Sequence, residues 1–253
     1  MKGNQTRYYT SFDTDFSTSA DQAFELPKNY CYVRNRFGAR VLSAVIYAAA
    51  LAFSALYCHL VLHLRIKGKT CFKGVNGGFY IYGNHTQPFG DVFIPALCAF
   101  PRRIYTLVSP ANYGIPVIGK LLPYLGALPL VPTLGGYHAL LSAMKTRLDA
   151  GHPVVIYPEA HVWEYYTGIR PFPTAAFAYP VKFGKPVFAM TATYKKSRLH
   201  RRPIMTVYLD GPFYGEGGTL KERESSLHAA VFGAMTARAK SSDFAFINYL
   251  PKE

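Results

Sequence analysis

Apolar and polar positions along the 253-residue chain fall into three regimes. Residues 1 to about 29 are polar, with Ser, Thr and Asp gathered at Thr10–Asp21, and read as a loosely ordered tail. No apolar core follows the N-terminus closely, so the start does not read as a cleavable signal peptide. Arg34, Arg36 and Arg40 then lead into Val41–Leu64, 24 residues without a charge. That run meets the roughly 20 apolar residues a spanning helix needs. Its Ala48-Ala49-Ala50 centre and its Tyr47, Tyr57 and His59 make it only moderately hydrophobic. A buried core helix and an in-plane anchor are the alternatives to a span. Arg65, Lys67 and Lys69 follow the run, so basic flanks at both ends leave its orientation open. His59 and His63 share a helix face, but with no carboxylate near them they read as interfacial polar residues rather than metal ligands.

From Arg65 onward, short apolar stretches alternate with helical ones. Strands are expected at Phe79–Tyr82, Ile104–Val108, Ala127–Val131, Val154–Tyr157, Pro186–Thr193 and Ile204–Leu209. Helices are expected at Val92–Phe100, within Ile115–Leu125, and at Gly136–Ala150, Ala175–Phe183 and Leu220–Lys240. This alternation predicts an α/β domain: a mostly parallel mixed sheet flanked by helices. The chain thus divides into a tail and basic segment (1–40), an anchoring helix (41–64) and an α/β domain (65–253). In such sheets, sites gather at the carboxyl ends of strands.

Composition narrows the choice of function. Half the residues are hydrophobic and 15% are aromatic, which excludes general disorder. A net charge of +14 suits phosphate-rich partners: nucleic acid, an anionic membrane or a phosphorylated substrate. Lys195, Lys196, Arg198, Arg201 and Arg202 fall between two predicted strands, at a hairpin tip. They lack interleaved aromatics, so no nucleic-acid partner is expected. Cys31, Cys58, Cys71 and Cys98 form no Cys-x-x-Cys pair, which argues against a disulfide framework and for a reducing compartment. The chain has no metal-binding His-Glu-x-x-His, no P-loop and no Gly-x-Ser-x-Gly elbow. Nothing in it therefore points to a serine acyl-enzyme.

The candidate chemistry lies in Tyr80-Ile81-Tyr82-Gly83-Asn84-His85-Thr86-Gln87-Pro88-Phe89-Gly90-Asp91, a strand running into a polar turn and then a helix. Asp91 is the only Asp or Glu between Pro27 and Leu148. A carboxylate beside a histidine fixes its tautomer and stabilises the imidazolium. Asp91 could equally cap a helix beginning at Val92. A second strand, Val154–Tyr157, ends in Pro158-Glu159, whose lone carboxylate could sit on the surface or bind substrate hydroxyls.

Asn84-His85 followed closely by Asp91 resembles the first motif of the glycerolipid acyltransferases, the 1-acylglycerol-3-phosphate acyltransferase family. Five residues separate His85 from Asp91, where the family has four. Pro158-Glu159 resembles the start of the family's Pro-Glu-Gly-Thr-Arg motif, with Ala160, His161 and Val162 in place of Gly, Thr and Arg. Lys185-Pro186-Val187 resembles its last motif, an apolar strand led by Val-Pro. The resemblance spans about Arg65 to Gly211. It implies a membrane-bound enzyme that moves a fatty acyl group from acyl-CoA or acyl carrier protein, as co-substrate, to a hydroxyl of a glycerol-phosphate-type lipid. No metal or resident cofactor is implied. His85 would be the general base and Asp91 its orienting partner. Asn84 and Thr86 would be oxyanion or positioning groups, and Glu159 would help place the acceptor. The family's two phosphate-binding arginines fall on Pro132 and Val162, which leaves Arg170 as the candidate substitute. The catalytic domain would face the cytoplasm at the cell membrane. The rival readings are a non-catalytic membrane-surface lipid-binding protein on the same fold and a thioester hydrolase.

Overall fold

The structure is a computed structural model and describes residues 5–16, 24–27 and 29–252. In chain order the elements are β1 (Gln5–Tyr9), α1 (Phe37–Leu60), β2 (Arg65–Lys67), β3 (Tyr80–Gly83), α2 (Gly90–Ala99), β4 (Tyr105–Val108), α3 (Ile118–Leu125) and β5 (Ala127–Pro129). They continue with α4 (Leu134–Asp149), β6 (Val154–Ile156), α5 (Ala178–Phe183), β7 (Val187–Lys195), β8 (Ile204–Phe213), α6 (Leu220–Ala239) and β9 (Ile247–Pro251).

The α/β architecture expected from the alternation is the one observed. A seven-stranded sheet has the order β2-β8-β7-β3-β6-β4-β5. From β7 to β5 all five strands run parallel, and the β7–β8 hairpin turns the last two strands the other way. Strand β3 is at the centre and every residue in it is buried. Its side chains alternate between two cores, as a parallel strand covered on both faces requires. Phe79 and Ile81 join Val155, Phe188, Met190 and Val207 under α1 and α2. Tyr80 and Tyr82 join Val154, Ile156, Leu140, Met144 and Val231 under α4 and α6. Short strands and short loops bring the ends of β3, β6 and β7 together, and the conspicuous turns of the sequence leave from there.

Three boundaries depart from the sequence reading. The apolar helix begins at Phe37 and ends at Leu60, so it takes in Arg40 and stops before His63. It does not stand apart from the domain: it packs on α2 and α3, with Ser54 and Cys58 fully buried. The N-terminal segment is also more than a loose tail. Strand β1 pairs in parallel with β9 in a separate two-stranded sheet. Tyr9, Phe12 and Phe16 pack against Trp163, which is fully buried. A stretch with few apolar residues gave no periodic signal for this, because its aromatics find their partners far along the chain. The remainder of the polar cluster, residues 17–21, lies outside the described residues.

Candidate active site

The site is built where β3 ends. A Cβ on Gly83 would lie 2.7 Å from Tyr157 Cε1 and 2.9 Å from Met190 Cε, so glycine lets the neighbouring strands close around the turn. The backbone then leaves the sheet, and the Asn84 side chain takes over the ladder. Its Nδ2 donates to Ala192 O at 3.1 Å, and its Oδ1 accepts from Ala192 N at 2.8 Å. Thr86 Oγ1 bonds Tyr194 Oη at 2.7 Å, and Gln87 Nε2 donates to the same hydroxyl at 3.1 Å. Asn84 and Thr86 are buried and engaged in these contacts. They brace the turn, so of the oxyanion or positioning roles expected of them these contacts fit positioning.

Between these braces stands His85, with its side chain 20% exposed. Its Nδ1 lies 2.7 Å from Asp91 Oδ2. The same Oδ2 accepts from Gln87 N at 2.8 Å. Helix α2 starts at Gly90, two residues earlier than a cap at Asp91 would require, so Asp91 sits in the first turn with its carboxylate folded back over the loop. The extra residue between His85 and Asp91 is absorbed by the turn at Pro88–Gly90. A Cβ on Gly90 would meet Gln87 Cβ and Leu62 Cδ1, both at 2.9 Å. Asp91 is 3% exposed, and burying a carboxylate is costly unless it is hydrogen-bonded. With Nδ1–H donating to that carboxylate, the imidazole is held in the tautomer that leaves the Nε2 lone pair free. Nε2 has no hydrogen-bond partner among the described residues. The ring lies on Tyr157, centroids 4.5 Å apart, and Tyr157 Oη donates to Asp91 O at 2.6 Å. One tyrosine thus fixes both members of the pair. Sequence reasoning had no means of finding it, because Tyr157 belongs to the other motif.

Glu159 and Arg170 are brought together, though in a different role from the one expected. Glu159 Oε2 accepts from His85 N at 3.1 Å, and Oε1 accepts from Arg170 N at 3.0 Å. Arg170 Nη2 donates to Glu159 Oε2 at 3.0 Å and also to His161 O, while Nη1 donates to Phe12 O at 3.2 Å. The guanidinium lies 4.9 Å from the Trp163 ring centroid, and Arg170 is 1% exposed. Burial pushes the Glu159 carboxyl up, and Arg170 with the two amide donors opposes that shift. Arg170 is therefore an internal cation that ties the Pro-Glu loop to the His85 backbone. Its expected contact with a substrate phosphate is corrected by this burial, and Glu159 likewise holds the loop rather than facing an acceptor.

Residues 63–209 match the sequence model of the family described as Acyltransferase. The chain belongs to the acyltransferase family. The matched stretch contains β3, the His85–Asp91 turn, the Glu159 loop, β7 and the first part of β8. Among solved structures, the 1-acyl-sn-glycerophosphate (LPA) acyltransferase PlsC from Thermotoga maritima is similar to it, with a TM-score of 0.54 and 15% identity. That likeness covers 83% of this chain and 84% of the other, and at this identity it is one of fold. No curated protein sequence matches this acyltransferase.

Proposed function

We propose that this acyltransferase moves a fatty acyl group from a thioester, on coenzyme A or acyl carrier protein, to a hydroxyl of a glycerol-phosphate-type lipid. The observation that carries the reading is the short contact between His85 Nδ1 and a buried carboxylate, with Nε2 unpartnered among the described residues at the carboxyl end of a central parallel strand. In the reaction, Nε2 takes the proton of the acceptor hydroxyl as its oxygen attacks the thioester carbonyl. Asp91 stabilises the imidazolium that results. Collapse of the tetrahedral intermediate breaks the carbon–sulfur bond, and the departing thiolate recovers the proton from Nε2. A thioester is activated enough for base catalysis and proximity to suffice without an acyl-enzyme. The acceptor class is supported by the similar fold of an enzyme whose substrate is 1-acyl-sn-glycerophosphate.

The phosphate of such an acceptor needs a cation other than Arg170. The β7–β8 tip carries a group of them: Lys195, Lys196, Arg198, Arg201 and Arg202. Tyr194, which holds Thr86, leads directly into Lys195. Tyr165 N donates to Thr86 O at 3.0 Å, and the charge of Arg202 opposes the rise that burial gives the Tyr165 hydroxyl. The exposed Arg202 is therefore the cation we assign to the acceptor phosphate.

Membrane association fits α1 lying along the bilayer surface. Phe37, Val41, Val45, Phe53, Leu56 and Leu60 form one exposed face. The opposite face is held by the domain: Ser43 Oγ donates to Tyr124 O at 2.9 Å, and Tyr47 Oη accepts from Ile104 N at 3.1 Å. A helix fixed to its domain at both of these points suits in-plane docking better than a span. The four cysteines are unpaired, which fits the cytoplasmic side of the cell membrane. Product analysis tests the whole reading. Purified enzyme given an acyl thioester and lysophosphatidate should form phosphatidate. Free fatty acid would mean a hydrolase, and no thioester consumption would mean a binding protein.

A further inference from the structure

A polar cavity of about 260 Å³ opens between α1, α4 and the amino ends of β4, β5 and β6. It lies at the opposite end of the sheet from His85, which follows the carboxyl end of β3. Strands of three or four residues separate the two, on the order of 10 Å. Arg34, Arg40, Arg103, Arg147 and His152 line it, and no carboxylate does among the described residues. The acid closest in sequence to Arg147, Asp149, is already paired with Lys145.

The cations are partly spent, but not on anions. Arg103 donates to Ser43 Oγ at 2.7 Å and to Tyr124 O, and it lies over the Tyr47 ring at 4.6 Å. Arg34 stacks over Tyr124 at 5.4 Å and Arg147 over Tyr105 at 4.5 Å. Arg103 Nε and Arg147 Nε are buried without a hydrogen-bond partner among the described residues. The α1 N-terminus adds to the field. It has neither a side-chain cap nor an acid in its first turn, so among the described residues its free N–H groups and partial positive charge are unanswered. His152 reports the result: burial, then Arg147 and Arg103, hold its pKa below the ordinary histidine value. Collecting like charges around a cavity is unfavourable unless an anion completes it.

We propose that this cavity binds the phosphate group of an anionic phospholipid, gripping the headgroup while α1 lies in the bilayer surface. The first turns of α1 support the lipid source. Arg40 lines the cavity, while Phe37, Val41 and Leu42 beside it are exposed and apolar. A headgroup phosphate held by Arg40, Arg103 and Arg147 would therefore lie at the depth where those side chains meet acyl chains. Guanidinium–phosphate bonds are the strong, charge-assisted kind, which suits Arg rather than Lys here. The inference rests on the in-plane docking of α1, and its test separates the two.

The test is flotation of full-length protein with vesicles of phosphatidylcholine alone and of phosphatidylcholine with phosphatidylglycerol. Wild-type protein is compared with Arg103→Gln/Arg147→Gln, and with Lys196→Gln/Arg198→Gln, which removes equal charge from the exposed β7–β8 tip. The cavity pair should weaken binding to the phosphatidylglycerol vesicles by about tenfold and leave binding to phosphatidylcholine unchanged; the tip pair should cost about twofold. Arg147→Gln alone, which removes no hydrogen bond made among the described residues, keeps the test valid if the double variant fails to fold. Equal losses from both pairs would overturn the proposal in favour of diffuse charge. Stabilisation of wild type, but not Arg147→Gln, by inorganic phosphate with no preference for phosphatidylglycerol would overturn the lipid source. Failure to bind either vesicle would overturn the docking of α1 and this inference with it.

Discussion

At the scale of single residues, the His85–Asp91 pair and its supports make separable claims. Asp91→Asn keeps the size of the side chain and an oxygen that can accept from Gln87 N. It removes the charge that stabilises the imidazolium. The expected outcome is an unchanged melting temperature with kcat lowered by about 10²-fold or more. Activity near wild type would reduce Asp91 to a structural role. Arg170 and Arg202 should respond in opposite ways. Arg170→Ala leaves Glu159 buried without its partner and should cost about 3–5 kcal/mol of stability by denaturant titration. Arg202→Ala should leave stability alone and raise KM for lysophosphatidate far more than for the acyl thioester, the pattern of lost ground-state binding. Selective KM damage from Arg170→Ala instead would restore it as the phosphate ligand. Ala160 offers a third case. It stands at φ 62°, in the left-handed region, where the family motif carries glycine. Ala160→Gly should stabilise the protein by about 1 kcal/mol, read by the same titration, and a loss of stability would contradict the strain.

At the scale of elements, the sequence disclosed those whose signal is local. The β3–turn–α2 unit was legible because a buried strand, turn-forming residues and an isolated acid follow one another directly. Strand β2 was missed because three residues, two of them charged, carry no hydrophobic period. How Asn84 braces the turn was not legible because its partner, Ala192, lies 108 positions away. Arg170 was misread for a similar reason: its burial is made by Phe12 and Trp163, and nothing near position 170 announces them. Helix α1 was found by composition, but which of its faces is free depends on what packs against it. That free face makes a prediction. Phe53 is 55% exposed on the docking side. Phe53→Asp should sharply reduce co-flotation with phosphatidylcholine vesicles while leaving the soluble fold intact. Tyr47→Phe, on the protein side, should not. Unchanged flotation of Phe53→Asp would mean that this face does not meet the bilayer.

At the scale of the whole molecule, chemistry, docking and charge are distributed over different parts of one sheet. The carboxyl end of the parallel strands carries the histidine, α1 turns an apolar face outward, and the amino end gathers arginines from positions 34, 40, 103 and 147. The net charge of +14 was visible in the sequence, but its concentration in a cavity was not, because these residues meet only through the fold. Residual membrane binding that weakens as salt rises is the expected mark of that charge. The central claim remains that His85 is the base for acyl transfer. It is tested most directly by the rate of phosphatidate formation from an acyl thioester and lysophosphatidate by wild type and His85→Ala, with circular dichroism confirming the fold of both. The account predicts a loss of about 10²–10⁴-fold with the fold unchanged. A well-folded His85→Ala protein that forms phosphatidate at near the wild-type rate would contradict it.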